Sequence, residues 1–282
     1  MRHLNFPLAG VETKQVYEEC VQSFRDKDLR NRLERCADLV ERDSKKFEED
    51  FPQNIMQLSE SELPDDVSGE NLVDVYKYKF AKMKSPGRRY YDKLLNAPRE
   101  GFCPICGVRQ VSTLDHYLPK SKYPLLAITL PNLIPSCSDC NRNKMVYIPK
   151  CIEDAPFHPY FDDLSDVIWL EAEIFEDRTI KYYVACPETW DRVLKERLSG
   201  FLQVYKLQKV YAAHAIREWE SMRKLTKELY QSGGSPELHQ HLLNMKESVE
   251  EVDLNWWKAA LCRALLRQQQ IVESWLMQGN ND

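Results

Sequence analysis

Between Val11 and Phe51 the apolar residues Val16, Cys20, Phe24, Leu33, Cys36 and Val40 recur mostly three or four positions apart, with charged residues filling the gaps. That spacing lays an apolar stripe along one side of a helix and predicts a helical N-terminal region. The acidic, turn-rich stretch "QLSESELPDDVSGEN" follows as a linker or exposed loop. A second helical piece is expected around "LVDVYKYKFAKM", stopped by "SPG", and a short helix in "RRYYDKLLNA". Further on, "DVIWLEAEIF" and "TIKYYVA" alternate apolar with polar residues around "EDR", the period of a β-hairpin. From Thr189 a long helical period runs through Trp190, Val193, Leu194, Leu198, Phe201 and Tyr205. At "GGSP", Gly233 and Gly234 are expected to end one helix, while Ser235 caps the next and Pro236 starts it. "DLNWWKAALCRALLRQQQIVESWLM" predicts a final helix. Trp190, Trp219, Trp256, Trp257 and Trp275 fall in these amphipathic stretches, where core packing or subunit contact explains them better than base stacking does.

A chain of 282 residues can bury a sizeable core without cross-links. Of its nine cysteines, four form the pairs Cys103/Cys106 and Cys137/Cys140 and the others are scattered, a usage that suits a reducing compartment. No signal-like N-terminus and no apolar run of roughly 18 residues is present, so a cytoplasmic protein without a membrane partner is expected. The net charge of −5 is unevenly spread. Residues 1–81 carry 12 basic against 18 acidic side chains and residues 151–282 carry 15 against 22, whereas residues 82–150 carry 12 against 4. A local basic island is the footprint expected where phosphates dock, and it coincides with the cysteine pairs.

Two C-x-x-C turns supply four thiolates for a tetrahedral site, and four sulfurs leave no open position, so a zinc bound there is structural. Redox chemistry would need only one pair. The thirty residues from Gly107 to Ser136 make a long spacer for such a site, and they contain "LDHYLPKS". "VSTLDHYLP" has strand character, presenting Asp115 and His116 side by side before Pro119. "LPNLIPSC" places Asn132 in a loop, and "CNRNK" follows the second pair directly, with Asn141 expected to open a helix and Lys144 three residues on.

The pattern D-H-x-x-P, then N-L, then C-x-x-C-N-x-x-K, framed by an upstream C-x-x-C, resembles the HNH endonuclease module over roughly Phe102 to Lys144. The resemblance implies a ββα-metal fold, with His116 on the first strand, Asn132 in the connecting loop and Asn141 at the start of the helix. It implies that His116 takes a proton from an attacking water, that Asn132 holds the histidine in place, and that Asp115 and Asn141 are ligands of a catalytic Mg²⁺ or Mn²⁺. Lys120, Lys122, Arg142 and Lys144 become candidates for gripping phosphates. The last letter of the name-giving triplet, often His, is here Asn141. His158, in "DAPFHPYFDD", is better explained as a structural histidine.

A looser likeness, carried by "RRYYDKLL", "FCPICG", "LDHYLPKSKYP", "CSDCN" and "HPYFD", is to the HNH effectors of Septu-type two-gene antiphage systems. It implies that the helical arms dock an ABC/SMC-like ATPase. The expected fold class is thus α+β: a helical N-terminal region (1–85), an HNH core with its four-cysteine zinc site (86–165), a β-hairpin (166–187) and a helical C-terminal region (188–282). The expected function is metal-dependent DNA endonuclease, with homo-oligomerisation left open. An RNA-directed nuclease and a non-catalytic zinc module that binds nucleic acid or protein stand as alternatives.

Overall fold

The computed structural model describes residues 2–58 and 63–278. The chain divides into two compact units, Arg2–Asp163 and Leu164–Asp282. Among the described residues the fold is mixed, mostly helical with two small sheets.

In the first unit the apolar stripe of the N-terminal region resolves into three helices: α1 (Thr13–Gln22), α2 (Lys27–Glu34) and α3 (Ala37–Glu48). The breaks fall where the apolar spacing lapses, and Asp26 caps α2 by accepting from the backbone N–H groups of Asp28 and Leu29. The buried faces, with Val16, Cys20, Leu33 and Val40, form one core with Leu114, Leu125 and Leu133 of the cysteine-bearing segment. Residues 59–62 of the expected linker lie outside the described residues. Beyond it, α4 (Gly69–Asp74) opens with a capping box between Ser68 and Asn71 and then widens into a π-helical turn, Val75–Phe80. The helical piece expected there is therefore present, with a wider turn in its second half. Pro86 and Gly87 precede α5 (Arg88–Leu95), which packs on the small sheet.

That sheet is a pair of antiparallel strands, β1 (Thr113–His116) and β2 (Leu133–Ser136), with Asp115 opposite Ile134 and His116 opposite Leu133. Helix α6 (Ser138–Lys144) follows β2 at once, through Cys137 as N-cap. The β, β, α order matches the expectation, but the helix begins at Ser138, so Asn141 lies one turn into α6 and does not open it. Cys137 sets that start because its sulfur accepts the Cys140 N–H, the turn needed to bring both thiols inward.

In the second unit the expected hairpin is present as β3 (Leu170–Ile174) and β4 (Ile180–Val184). Helices α7 (Arg192–Val204) and α8 (Leu207–Glu250) follow, separated at Lys206, whose φ is +54°. The break expected at "GGSP" is present within α8: Gly234 leaves helical angles (φ 67°, ψ −156°), two helical segments meet there at a kink, and Pro236 lies near the start of the second. The final stretch is divided at Gln268 into α9 (Trp257–Arg267) and α10 (Gln269–Met277). Trp169, Trp219 and Trp275 are fully buried here, so these tryptophans pack the core. Glu171 of β3 is paired with Arg263 and Arg267 of α9, which ties the hairpin to that helix. Among the described residues no helix is long and apolar enough to cross a membrane.

Candidate active site

The four paired cysteines converge. Their sulfurs all lie within 4.8 Å of one another and are buried, and Cys106 Sγ and Cys137 Sγ are 3.9 Å apart. A tetrahedron with metal–sulfur bonds of about 2.3 Å has edges of roughly 3.8 Å, so the cluster fits a zinc ion. The first knuckle is shaped by the Gly107 N–H donating to the Cys103 carbonyl at 2.8 Å, with Gly107 at φ +63°. Glycine accepts that left-handed turn without strain. The cluster joins the segment before β1 to the start of α6.

Asp115 and His116 end β1, and both line a cleft of about 190 Å³ that Lys120, Asn141, Met145 and Val146 also line. His116 is 4% exposed, and its Nε2 lies 2.9 Å from the Ala127 carbonyl oxygen. A carbonyl can only accept, so Nε2 carries the proton and Nδ1 keeps the lone pair. Burial holds the imidazole pKa well below its usual value, with Lys120 and Lys144 adding to the effect, so the ring is neutral at neutral pH. The ring of Tyr76, from the π-helical turn, packs edge-on against His116 with centroids 4.5 Å apart, and the Lys120 ammonium sits 5.3 Å from the centre of the Tyr76 ring. Nothing in the sequence singles out Tyr76, which belongs there to an ordinary helical stripe. A π-turn, frequent at functional sites, is what brings it to the histidine.

Asp115 is 4% exposed, and one of its oxygens, Oδ2, is buried with no hydrogen-bond partner. Burial pushes its pKa up to about 6, against the pull of Lys144. An orphaned carboxylate oxygen beside an asparagine in a small cleft is a hard-oxygen donor set, the chemistry that Mg²⁺ or Mn²⁺ takes. The residues present thus fit a divalent cation.

Asn132 is fully buried and works as a clamp. Its Oδ1 accepts from the Leu118 N–H at 2.8 Å, and its Nδ2 donates to the carbonyls of Leu118 and Leu126 at 3.1 and 3.0 Å. Its own carbonyl accepts from the Tyr117 N–H at 2.8 Å. It therefore binds the two residues after His116 to the loop that supplies Ala127.

Lys144 departs from its expected role. It is buried, with Nζ donating to the His116 carbonyl at 2.6 Å and to Asp115 Oδ1 at 3.3 Å. An ammonium enclosed in this way cannot grip a phosphate from the surface. Lys122 and Arg142 are exposed; Arg142 pairs with Asp139, and only Lys120 of the four basic candidates lines the cleft with its charge partly free of the core.

His158 is fully buried and its ring nitrogens are both used by backbone: Nε2 donates to the Pro131 carbonyl at 3.0 Å and Nδ1 accepts from the Tyr160 N–H at 3.2 Å. Phe51 and Phe161 pack on it at centroid distances of 5.1 and 4.6 Å. It is a structural residue.

Comparison with known proteins adds one relative. Protein ea31 of Escherichia phage lambda is 26% identical over 217 residues, covering 70% of this chain and 72% of that protein. No family model matches the chain. No solved structure matches it.

Proposed function

We propose that this protein is a metal-dependent endonuclease of the HNH type that hydrolyses phosphodiester bonds in DNA. The observation that carries the reading is the meeting, in one cleft, of a neutral His116 whose proton is fixed on Nε2 with the partnerless Asp115 oxygen and Asn141. His116 Nδ1 takes the proton of a water aligned behind the phosphorus, a role that needs an unprotonated imidazole. Ala127 and Asn132 keep the ring and its following loop from turning, and Lys120 supplies a cation beside the phosphate. Mg²⁺ or Mn²⁺ held by Asp115 and Asn141 would neutralise the phosphate and stabilise the leaving oxygen. The buried cysteine cluster takes no part in the chemistry.

The Septu-type likeness extends this reading to an antiphage complex in which the helical regions dock an ATPase. It is supported by the sequence phrases "RRYYDKLL", "FCPICG", "LDHYLPKSKYP", "CSDCN" and "HPYFD".

A second reading, a zinc-stabilised module that binds without catalysis, is favoured by the 4% exposure of His116, since substrate needs access to its nitrogen. Supercoiled plasmid and a single-stranded RNA, each incubated with Mg²⁺ or Mn²⁺ and with the wild type or His116→Ala, separate the readings. Metal-dependent plasmid cutting abolished in His116→Ala, with zinc content unchanged, is the expected result. Cutting of RNA alone moves the substrate class. Equal behaviour of the two proteins on both substrates removes the nuclease reading.

A further inference from the structure

The end of α6 carries a feature that the catalytic reading does not use. The Tyr147 N–H donates to the Lys144 carbonyl at 3.1 Å, closing a four-residue turn whose first central residue is Met145, at φ 52° and ψ −129°. Those are the angles of a type II′ turn, a position that glycine normally fills because a Cβ is strained there. A methionine occupies it nonetheless. Its side chain gains no packing in return: Met145 is 72% exposed and Val146, next to it at the tip, is 61% exposed. Both line the cleft of Asp115, His116 and Asn141, and the Met145 N–H donates to the Asn141 carbonyl at 3.1 Å.

Strain held at a functional site points to a role for what it displays. Here it displays two apolar side chains at a cleft that Lys120 also lines. The Lys120 cation draws a polyanion to this cleft, and the largest apolar surfaces such a polymer offers to side chains beside it are the faces of its bases. Methionine and other apolar side chains act as wedges between base steps, partly unstacking them and bending the duplex. We infer that Met145 and Val146 form an apolar wedge that enters a base step of duplex DNA next to the phosphate held in the cleft. The inference rests on the nuclease reading and adds to it how the duplex is opened to a cleft this small. The wedge is fixed to the site because Met145 hangs from Asn141 by the last hydrogen bond of α6.

The test compares the wild type with Met145→Gly/Val146→Ala. Glycine accepts the turn angles, so this variant keeps or gains melting temperature, and a loss of activity is not a loss of fold. Cleavage positions of the wild type are first mapped on an end-labelled duplex in Mg²⁺ or Mn²⁺. Rates are then measured on that duplex and on one carrying a mismatch at the step beside the cut, where the bases are already loosened. The wedge predicts a loss of tenfold or more on the paired duplex and recovery to within about threefold of wild type on the mismatched one, with Met145→Leu retaining full activity. Equal loss on both substrates, or no loss on either, overturns it while leaving the nuclease reading intact. A change from oligomer to monomer in the variant, with the paired duplex cut normally, assigns the two side chains to contact between copies and also overturns it. A wild type that cuts nothing removes the nuclease reading and this inference with it.

Discussion

Replacing Asp115 by asparagine is expected to make the protein more stable at neutral pH while abolishing the nuclease activity proposed for it. Burial pushes the Asp115 carboxyl up to about 6 from an ordinary 3.8, even though the Lys144 ammonium 3.3 Å away pulls in the other direction. The folded chain therefore binds this proton more tightly than the unfolded chain. Its contribution is present in full below about pH 4 and is lost as the pH rises through about 6. A gap of about 2 pH units corresponds to about 3 kcal/mol, the amount by which ionised Asp115 disfavours the fold at pH 7 and above. Asparagine resembles the protonated acid at every pH, keeps an oxygen for Lys144, and removes that penalty. In urea unfolding without divalent cations, Asp115→Asn should exceed the wild type by about 3 kcal/mol near pH 7.5, and the difference should close as the pH falls to about 4. Taking the difference between two chains cancels the other titrating groups. A variant equal to or weaker than wild type at pH 7.5 would refute the reasoning, because it would mean that attraction to Lys144 outweighs the burial of the carboxylate.

Lys144→Met should destabilise the protein by roughly 3 kcal/mol at pH 7.5, since Asp115 and the His116 carbonyl both lose their buried donor, and by less near pH 5, where Asp115 escapes by taking a proton; chemical denaturation at the two values checks it. Asn132→Ala removes three side-chain hydrogen bonds from a fully buried position and should cost about 3 kcal/mol or more, while raising the mobility of residues 117–127 in hydrogen exchange. Cys103→Ser or Cys140→Ser should lower zinc stoichiometry and melting temperature together, because zinc binding energy is also folding energy; full zinc with an unchanged melt would remove the zinc assignment. If Asp115 is a metal ligand, the acidic limb of the activity profile should move to lower pH as Mg²⁺ is raised, since metal and proton compete for one carboxylate.

The parts of this fold that can be read in the sequence are those whose signal is carried by side-chain type and spacing. The C-x-x-C pairs, the period-two hairpin Leu170–Val184 and the D-H, N, N order all fall in this class. Three site features are hidden for a physical reason. The Ala127 carbonyl that fixes the His116 tautomer belongs to the backbone, and any residue could provide it. Tyr76 reaches His116 because the helix widens to a π-turn, a change that the helical period of "LVDVYKYKFAKM" does not announce. Lys144 is expected on the surface because lysine almost always is, and only a buried carboxylate paired with it reverses that preference. The break at Gly234 is also legible, since Gly-Gly followed by Ser-Pro gives the local signals of both a helix end and a helix start. The departure from helical angles is confined to that one residue, and Pro236 falls near the start of the second segment, where its missing N–H costs little.

The cysteine cluster and the cleft are mechanically one object. Helix α6 has seven residues, far too few to be stable alone, so its position must come from what holds its ends. Cys137 and Cys140 hold the first turn within the sulfur cluster, and Lys144 holds the last residue to β1 through Asp115 and the His116 carbonyl. Asn141 lies between those two anchors, directly after Cys140. Its place relative to Asp115 is thus set by a metal-sized cluster on one side and a buried ion pair on the other. A metal bound to the cysteines takes no part in chemistry, yet its removal frees one end of the helix that presents Asn141, and the spacing of the two oxygen donors is then no longer defined. On the proposed reading, in which Asp115 and Asn141 would hold a divalent cation, zinc loss should therefore weaken the affinity for that cation before it unfolds the unit.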